Sequence, residues 1–366
     1  MKVKHGPKGG VQCYWVRIVA GGHRQVEGIN YMETFSTAAK MPTVCTVLTH
    51  AAQQNWVIEH VDVKSAYLNA ALKETIYMKP PRNVLKPGQE GKLLRLLKGL
   101  YGLKQAGRGW YMEMVRVMMK KMGFGRSRID HSIFYCHAGE EHTIIAVATD
   151  NIVVTSKRMV DAEKFRSTIK TFWDITDHRP IQWFLGFKIK RNRKAGSISI
   201  NQQAYIKMMV EKFGLTGTKK TTTPMEQNAQ FSTQQCPATL NQMAHIKGIP
   251  YTEAIGLTLW PTVVSRPDMA FAVGILSQFI QNPGLAHWDR VKKVISYLAT
   301  TKDLWLTFGG GECMRIQGYC NADWATQSHR HLISGFSFHY GQGAISCSSK
   351  KQNRIMRCMQ QRRLCG

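Results

Sequence analysis

Hydrophobic and polar positions repeat with a period of two in some stretches of this chain and with a period between three and four in others. Tyr14 to Ala20 alternates as a strand, and Met41 to Gln54 places Val44, Val47, Leu48, Ala51 and Ala52 on one helical face behind a first-turn proline, Pro42. Trp56 to Asp62 reads as a second strand. Thr75 to Met78 and Lys92 to Leu97 follow as short strands joined across the Pro/Gly-rich loop Pro80 to Gly91. A long helix is predicted from Gln105 to Met122, because Trp110, Met114, Val117, Met118 and Met122 recur at spacings of three and four. Its methionines read as adaptable core filling, not as a cofactor box.

Ser132 to Cys136, Thr143 to Thr149 and Ile152 to Thr155 are rich in β-branched and apolar residues and predict three antiparallel strands. The last two form a hairpin across Asp150 and Asn151, residue types that tolerate the left-handed backbone of a tight turn. Met159 to Trp173 is a helix with Val160, Phe165, Ile169 and Phe172 inward, and with these strands predicts an antiparallel sheet backed by helices, an α+β layout. Trp183 to Lys190 and Ser197 to Ile200 form a further hairpin, and Gln202 to Phe213 a helix. The polar stretch Thr221 to Gly248 lacks periodicity and reads as a linker. Tyr251 to Trp260, Pro267 to Gln281 and Leu285 to Thr300 are helical, and Trp305 to Phe308, Arg315 to Cys320, Ile333 to Tyr340 and Ala344 to Ser348 are short strands.

With 366 residues and 43% hydrophobic content, the chain can bury a sizeable core and has room for two or three domains. Its formal charge of +27, from 50 Lys and Arg against 23 Asp and Glu, is spread along the sequence. Such an excess repels itself, so it points to an anionic partner, with nucleic acid first. No apolar run approaches the roughly 20 residues that span a bilayer, and the basic, Gly-rich start at Lys2, Lys4 and Lys8 has no apolar segment behind it. Nine cysteines without a Cys-x-x-Cys pair suit free thiols in an intracellular protein, cytoplasmic or nuclear. Cys136, His137 and His142 form the one compact group of soft ligands; an exposed loop is favoured there over a zinc site.

Asp150 at the tip of an apolar hairpin reads either as a solvated turn or as a presented metal ligand. Asp62, at the end of its own strand, changes that balance. Two strand-end carboxylates can share a pair of divalent cations, and nucleotidyl transfer needs such a pair to activate a 3′-hydroxyl and to neutralise a triphosphate.

The run Asp62 to Asn69, Asp-Val-Lys-Ser-Ala-Tyr-Leu-Asn, and the run Leu100 to Ala106, Leu-Tyr-Gly-Leu-Lys-Gln-Ala, resemble the reverse transcriptase of copia-type LTR retrotransposons. Arg17 to Tyr31, Glu33 to Ser36, Phe184 to Gly186, Ser265 to Asp268, Asn282 to Gly284 with His287 and Trp288, and Ala344 to Gln352 follow in that family's order, so the resemblance spans Tyr14 to Gln352. It implies a right-hand polymerase fold, with fingers and palm over residues 1–220, a linker over 221–249, thumb and connection helices over 250–310, and a truncated ribonuclease H-like segment over 311–366. It implies RNA or DNA template with primer and dNTP as partners, and two Mg²⁺ or Mn²⁺ ions held by Asp62 and Asp150. Arg17 would contact the triphosphate, with an exposed strand cation as the alternative; Trp15 stands where the family has lysine. Tyr67 would lie beneath the sugar and select against a 2′-hydroxyl, or else be a half-buried strand-end tyrosine. Gln105 matches the nucleotide-sugar contact. Arg290, Lys292 and Lys293 would touch phosphate or form a solvated helix face.

The chain also departs from the family. Where the family has Tyr-Val-Asp-Asp, Ala148-Thr149-Asp150-Asn151 stands here, and Asn151 keeps an oxygen but loses the charge that would offset two cations. Gly107 and Gly109 replace a proline and an alanine. At the first ribonuclease H acid stands Asn321, and the sequence has no Asp or Glu beyond Asp323, so ribonuclease H activity is predicted absent. Three readings follow: a weakened RNA-directed DNA polymerase, a catalytically dead relic that binds nucleic acid, or a pseudogene product.

Overall fold

A computed structural model describes residues 2–5, 11–81, 89, 91–226, 229, 231–311, 315–322 and 331–355. Asp323 and residues 356–366, on which part of the ribonuclease H reading falls, lie outside them, as does most of the Pro80 to Gly91 loop. The chain forms two compact units. The first comprises Met1–Ala39 and Glu59–His178, and the second Lys40–Ile58 and Arg179–Gly366. The span 1–220 is therefore divided between them.

A six-stranded sheet organises the first unit. Its strands are β1 (Val57–Val63), β2 (Gly125–Arg126), β3 (Ile133–Ala138), β4 (Glu141–Ala148), β5 (Asn151–Ser156) and β6 (Ile175–His178), in spatial order β6-β1-β5-β4-β3-β2. Side chains alternate between the faces of a strand. On one face Val61, Val63, Ile145, Val147, Ile152, Val154 and Ile175 are buried against helices α1 (Ala106–Val115) and α2 (Met159–Lys170), through Trp110, Met114, Phe165 and Ile169. β1 is buried along nearly its whole length, as expected of an interior strand, so its polar residues Glu59 and His60 need partners. Glu59 finds Arg166 of α2 at 2.5 Å.

Several elements differ from the sequence expectation. The helix predicted to run to Met122 is α-helical only to Val115 and continues as a π-helix over Arg116–Lys121, a local widening that the three-and-four spacing does not reveal. The strand predicted over Tyr14 to Ala20 is instead Val11–Trp15. Val16, Ile18 and Val19 beyond it are exposed, so no buried face extends it. Cys136, His137 and His142 lie within β3 and β4, not in a loop.

In the second unit, α3 (Gln203–Lys212), α4 (Tyr251–Val264), α5 (Ala270–Ser277) and α6 (Leu285–Thr300) surround a core that includes Ile206, Met209, Ile255, Leu276, Val291, Ile295 and Leu298. α4 was expected to stop at Trp260, before Pro261, but passes through it. A proline inside a helix leaves the carbonyl four residues earlier without its donor, and here the Tyr205 hydroxyl donates to that carbonyl, of Leu257, at 3.0 Å. The segment read as a linker contains the helix Leu240–Ile246, capped by Thr239 and Gln242. A four-stranded sheet (Trp183–Phe184, Phe187–Asn192, Ser197–Asn201, Leu306–Gly309), the helix Met41–Gln53 and a three-stranded sheet of β7 (Ile316–Ala322), β8 (His331–Tyr340) and β9 (Gly343–Ile355) complete this unit.

Candidate active site

The face of the six-stranded sheet opposite α1 and α2 carries His60 and Asp62. In β1, alternation sets Ile58, His60 and Asp62 opposite Glu59, Val61 and Val63, and in β5 it sets Asn151 opposite Ile152. β6 pairs with β1 so that Thr176 faces Asp62 and His178 faces His60. The imidazoles of His60 and His178 stack with centroids 5.1 Å apart.

Asp150 reaches this face from the β4–β5 turn. The turn residues are Thr149 and Asp150, with Ala148 and Asn151 as the last pair, so the hairpin closes one residue earlier than its sequence suggests. Thr149 has φ 61, an uncommon conformation for a β-branched residue. The carbonyl of Asp150 accepts the backbone N–H of Val63 at 2.8 Å, which brings the hairpin tip beside the end of β1. Asp62 and Asp150, far apart in sequence, thus come within electrostatic reach. The Asp62 carboxyl is raised above the usual range, first by burial, then by the negative charge of Asp150, with His178 opposing. A cation between the two would relieve both effects.

Asn151 is occupied from both sides. Its amide N–H donates to Asp150 Oδ1 at 3.0 Å, and its carbonyl oxygen faces His60 Nε2 at 2.9 Å. Burial pushes the His60 imidazole below its ordinary range, and the hydrogen bond with Asn151 works against that. The two carboxylates are of the type that binds a divalent cation, while Asn151 beside them offers a neutral oxygen in place of a charged one. Among the described residues no group of three or more His, Cys, Asp and Glu is arranged to hold a metal ion. In particular, Cys136 and His137 are neighbours on β3 and point to opposite faces of its sheet.

Tyr67 stands beside this carboxylate pair and Tyr101 beside Tyr67, ring centroids 4.7 Å apart. Burial and then the charge of Asp150 raise both phenols, so the field of Asp150 reaches each of them. The Arg17 guanidinium lies over the Tyr101 ring at 4.3 Å. Tyr101 was not singled out by sequence reasoning. Its only signal was membership of the Leu100 to Ala106 run. Backbone closeness makes the arrangement possible, because Ala20 N donates to Tyr101 O at 2.7 Å and a Cβ on Gly102 would lie 2.1 Å from the Ala20 oxygen.

Gln105 is buried, accepts a hydrogen bond from Gln25 at 3.0 Å and donates to the Asn30 carbonyl at 2.9 Å, bracing the start of α1 against the segment before it. A cavity of about 700 Å³ beside it is lined by Met32, Leu72, Ala106, Arg108 and Met112, and contains neither aspartate. Asn321 belongs to the second unit. It is exposed on β7 and paired with Gly335, with its side-chain oxygen accepting the N–H of Ala322 at 2.9 Å.

Residues 2–227 match the family described as "Reverse transcriptase (RNA-dependent DNA polymerase)". The chain is 34% identical over 93% of its length to the retrovirus-related Pol polyprotein from transposon TNT 1-94 of Nicotiana tabacum, covering 26% of that protein. It is 30% identical over 97% of its length to the Pol polyprotein from transposon RE2 of Arabidopsis thaliana, covering 24% of it. A truncated transposon Ty1-A Gag-Pol polyprotein of Saccharomyces cerevisiae is 25% identical over 75% of the chain, again covering 24% of the relative. The chain thus spans about a quarter of the length of each of these relatives.

Proposed function

The chain belongs to the reverse transcriptase family of copia-type retrotransposon Pol polyproteins, and on that premise we propose that it is an RNA-directed DNA polymerase region weakened at its metal site. Asp62 and Asp150 are its catalytic carboxylates. The observation that carries this reading is their approach at the end of β1, where the charge of Asp150 raises the Asp62 carboxyl. Asp62 and Asp150 would hold a divalent cation, Mg²⁺ or Mn²⁺, which when bound would lower the pKa of the primer 3′-hydroxyl and offset the charge of the triphosphate.

The remaining residues position the nucleotide. Tyr67 and Tyr101 form an aromatic wall beside the carboxylates that receives the sugar, and Arg17, stacked on Tyr101, points its charge to the triphosphate. Gln105 acts at one remove, as a brace for α1. The sheet and its helices form the palm, within fingers and palm assigned to residues 1–220. Residues 221–249 connect, the helices of 250–310 serve as thumb and connection, and 311–366 are a ribonuclease H-like remnant without activity, since Asn321 replaces its first acid. The charge of +27 suits a primed template.

A second reading, a nucleic-acid-binding relic without polymerase activity, is favoured by the neutral Asn151. Primer extension on a primed RNA template with Mg²⁺ or Mn²⁺ separates the two. Extension abolished by Asp62→Ala supports the polymerase. Salt-sensitive binding of the duplex with no extension supports the relic.

A further inference from the structure

Resting on the carboxylate pair above, we infer that His60 withdraws Asn151 from metal binding, so that the site takes a single divalent cation on Asp62 and Asp150. A carboxylate only accepts hydrogen bonds, so the Asn151 amide must turn its N–H₂ toward Asp150, and its oxygen then points to His60. His60 Nε2 must in turn be the donor, which sets its tautomer. The Asn151 oxygen is thereby turned toward His60 and its N–H₂ toward Asp150, so the amide presents a donor, not an oxygen, to the carboxylate beside which a second cation would sit.

His60 cannot easily move away. It lies on buried β1, stacks on His178 across the β1–β6 pair, and shares the sheet face of Asp62. His60 is therefore a positioning residue. Through Asn151 it fixes the orientation of the Asp150 carboxylate without touching the cation. Outer-shell partners of metal-binding groups typically change affinity by about 10–100-fold.

The test is electron paramagnetic resonance of Mn²⁺ bound to the full chain with primed RNA template and a non-hydrolysable dNTP analogue. Expected are an uncoupled single-ion signal in the unaltered chain, its loss in Asp62→Ala, and a spin-coupled pair in Asn151→Asp. His60→Ala, which frees the Asn151 oxygen and loosens Asp150, should weaken binding of the first Mn²⁺ about 10-fold and admit a second, coupled ion. His60→Gln, whose amide can donate to Asn151, should restore the single-ion signal and the affinity. A coupled pair in the unaltered chain that Asp62→Ala removes would overturn the inference while leaving the site assignment standing. Failure of Asn151→Asp to gain a second ion, or unchanged affinity in His60→Ala, would overturn it as well. A signal that survives Asp62→Ala would instead remove the carboxylate site on which the inference rests.

Discussion

Trp110 donates its indole N–H to the carbonyl of Thr149 at 2.7 Å, tying helix α1 to the turn that carries Asp150. The ring is buried and packs edge-on against Trp173 at 4.8 Å, so the anchor is rigid. Thr149 lies in the left-handed backbone region, and the bond helps hold it there. Trp110→Phe keeps most of the apolar volume but removes the donor. It should cost about 1–2 kcal/mol in urea unfolding and loosen the hairpin tip, visible as faster amide exchange at Asp150 and Asn151.

Arg166 and Glu59 pair at 2.5 Å with both side chains buried, and Asp177 lies 3.5 Å from the same guanidinium. Removing one partner of a buried pair strands the other's charge. Arg166→Ala should therefore destabilise the first unit by about 3–5 kcal/mol. The double change Arg166→Met with Glu59→Leu should recover much of that loss, as chemical denaturation would show.

Gly109 lies inside α1, and a Cβ added there would meet only the Ala70 Cβ, at an ordinary 3.6 Å. Gly109→Ala should raise stability by about 1 kcal/mol through helix propensity alone. Gly107 offers less room, with Ser36 Oγ at 3.1 Å, so Gly107→Ala should gain less in the same unfolding assay.

His287 is buried at the start of α6, where its Nδ1 accepts the N–H of Gly284 at 2.8 Å and its ring stacks on Phe279 at 4.0 Å. Burial lowers its pKa from the ordinary 6.5. The unfolded chain then takes up the proton first, so this contribution is fully present above about pH 6.5 and is lost as pH falls from there toward the lowered folded-state value. Midpoint denaturant concentrations measured between pH 7.5 and 5 should fall with acidification, and the slope should be shallower in His287→Gln.

The β7–β8 sheet leaves Ile316, Phe336 and Phe338 exposed on one face, where alternation and the pairing of Phe338 with Gly318 and Phe336 with Cys320 align them. An exposed apolar strand pair invites self-association. Replacing Phe336 and Phe338 by serine should reduce concentration-dependent aggregation measured by light scattering, without altering template binding.

Much of this was legible because it is local. Alternation in Thr143 to Thr149 and Ile152 to Thr155 marks a hairpin, and Asp62 at a strand end and Asp150 at a turn are visible as such in the sequence. What was hidden depends on neighbours brought in by folding. Glu59 meets Arg166 across 107 positions and His60 meets Asn151 across 91, and nothing in either local pattern names the partner. Gln105 matches a nucleotide contact by motif, and that motif names neither Gln25 and Asn30, which its amide meets, nor the way Tyr101, four residues earlier, faces Tyr67 and Arg17. The π-helical turn after Val115 escaped because a period of three to four fits the buried side chains of either helix type.

The most direct measurement is the rate of single-nucleotide primer extension on RNA for the unaltered chain, Asn151→Asp and Asp62→Ala side by side. Restoring the second charge should raise the rate by about 100-fold, equivalent to about 2.7 kcal/mol of barrier, and Asp62→Ala should abolish extension in either background. Equal rates with asparagine and aspartate at position 151, or extension that persists without the Asp62 carboxylate, would contradict a nucleotidyl-transfer site built on Asp62 and Asp150.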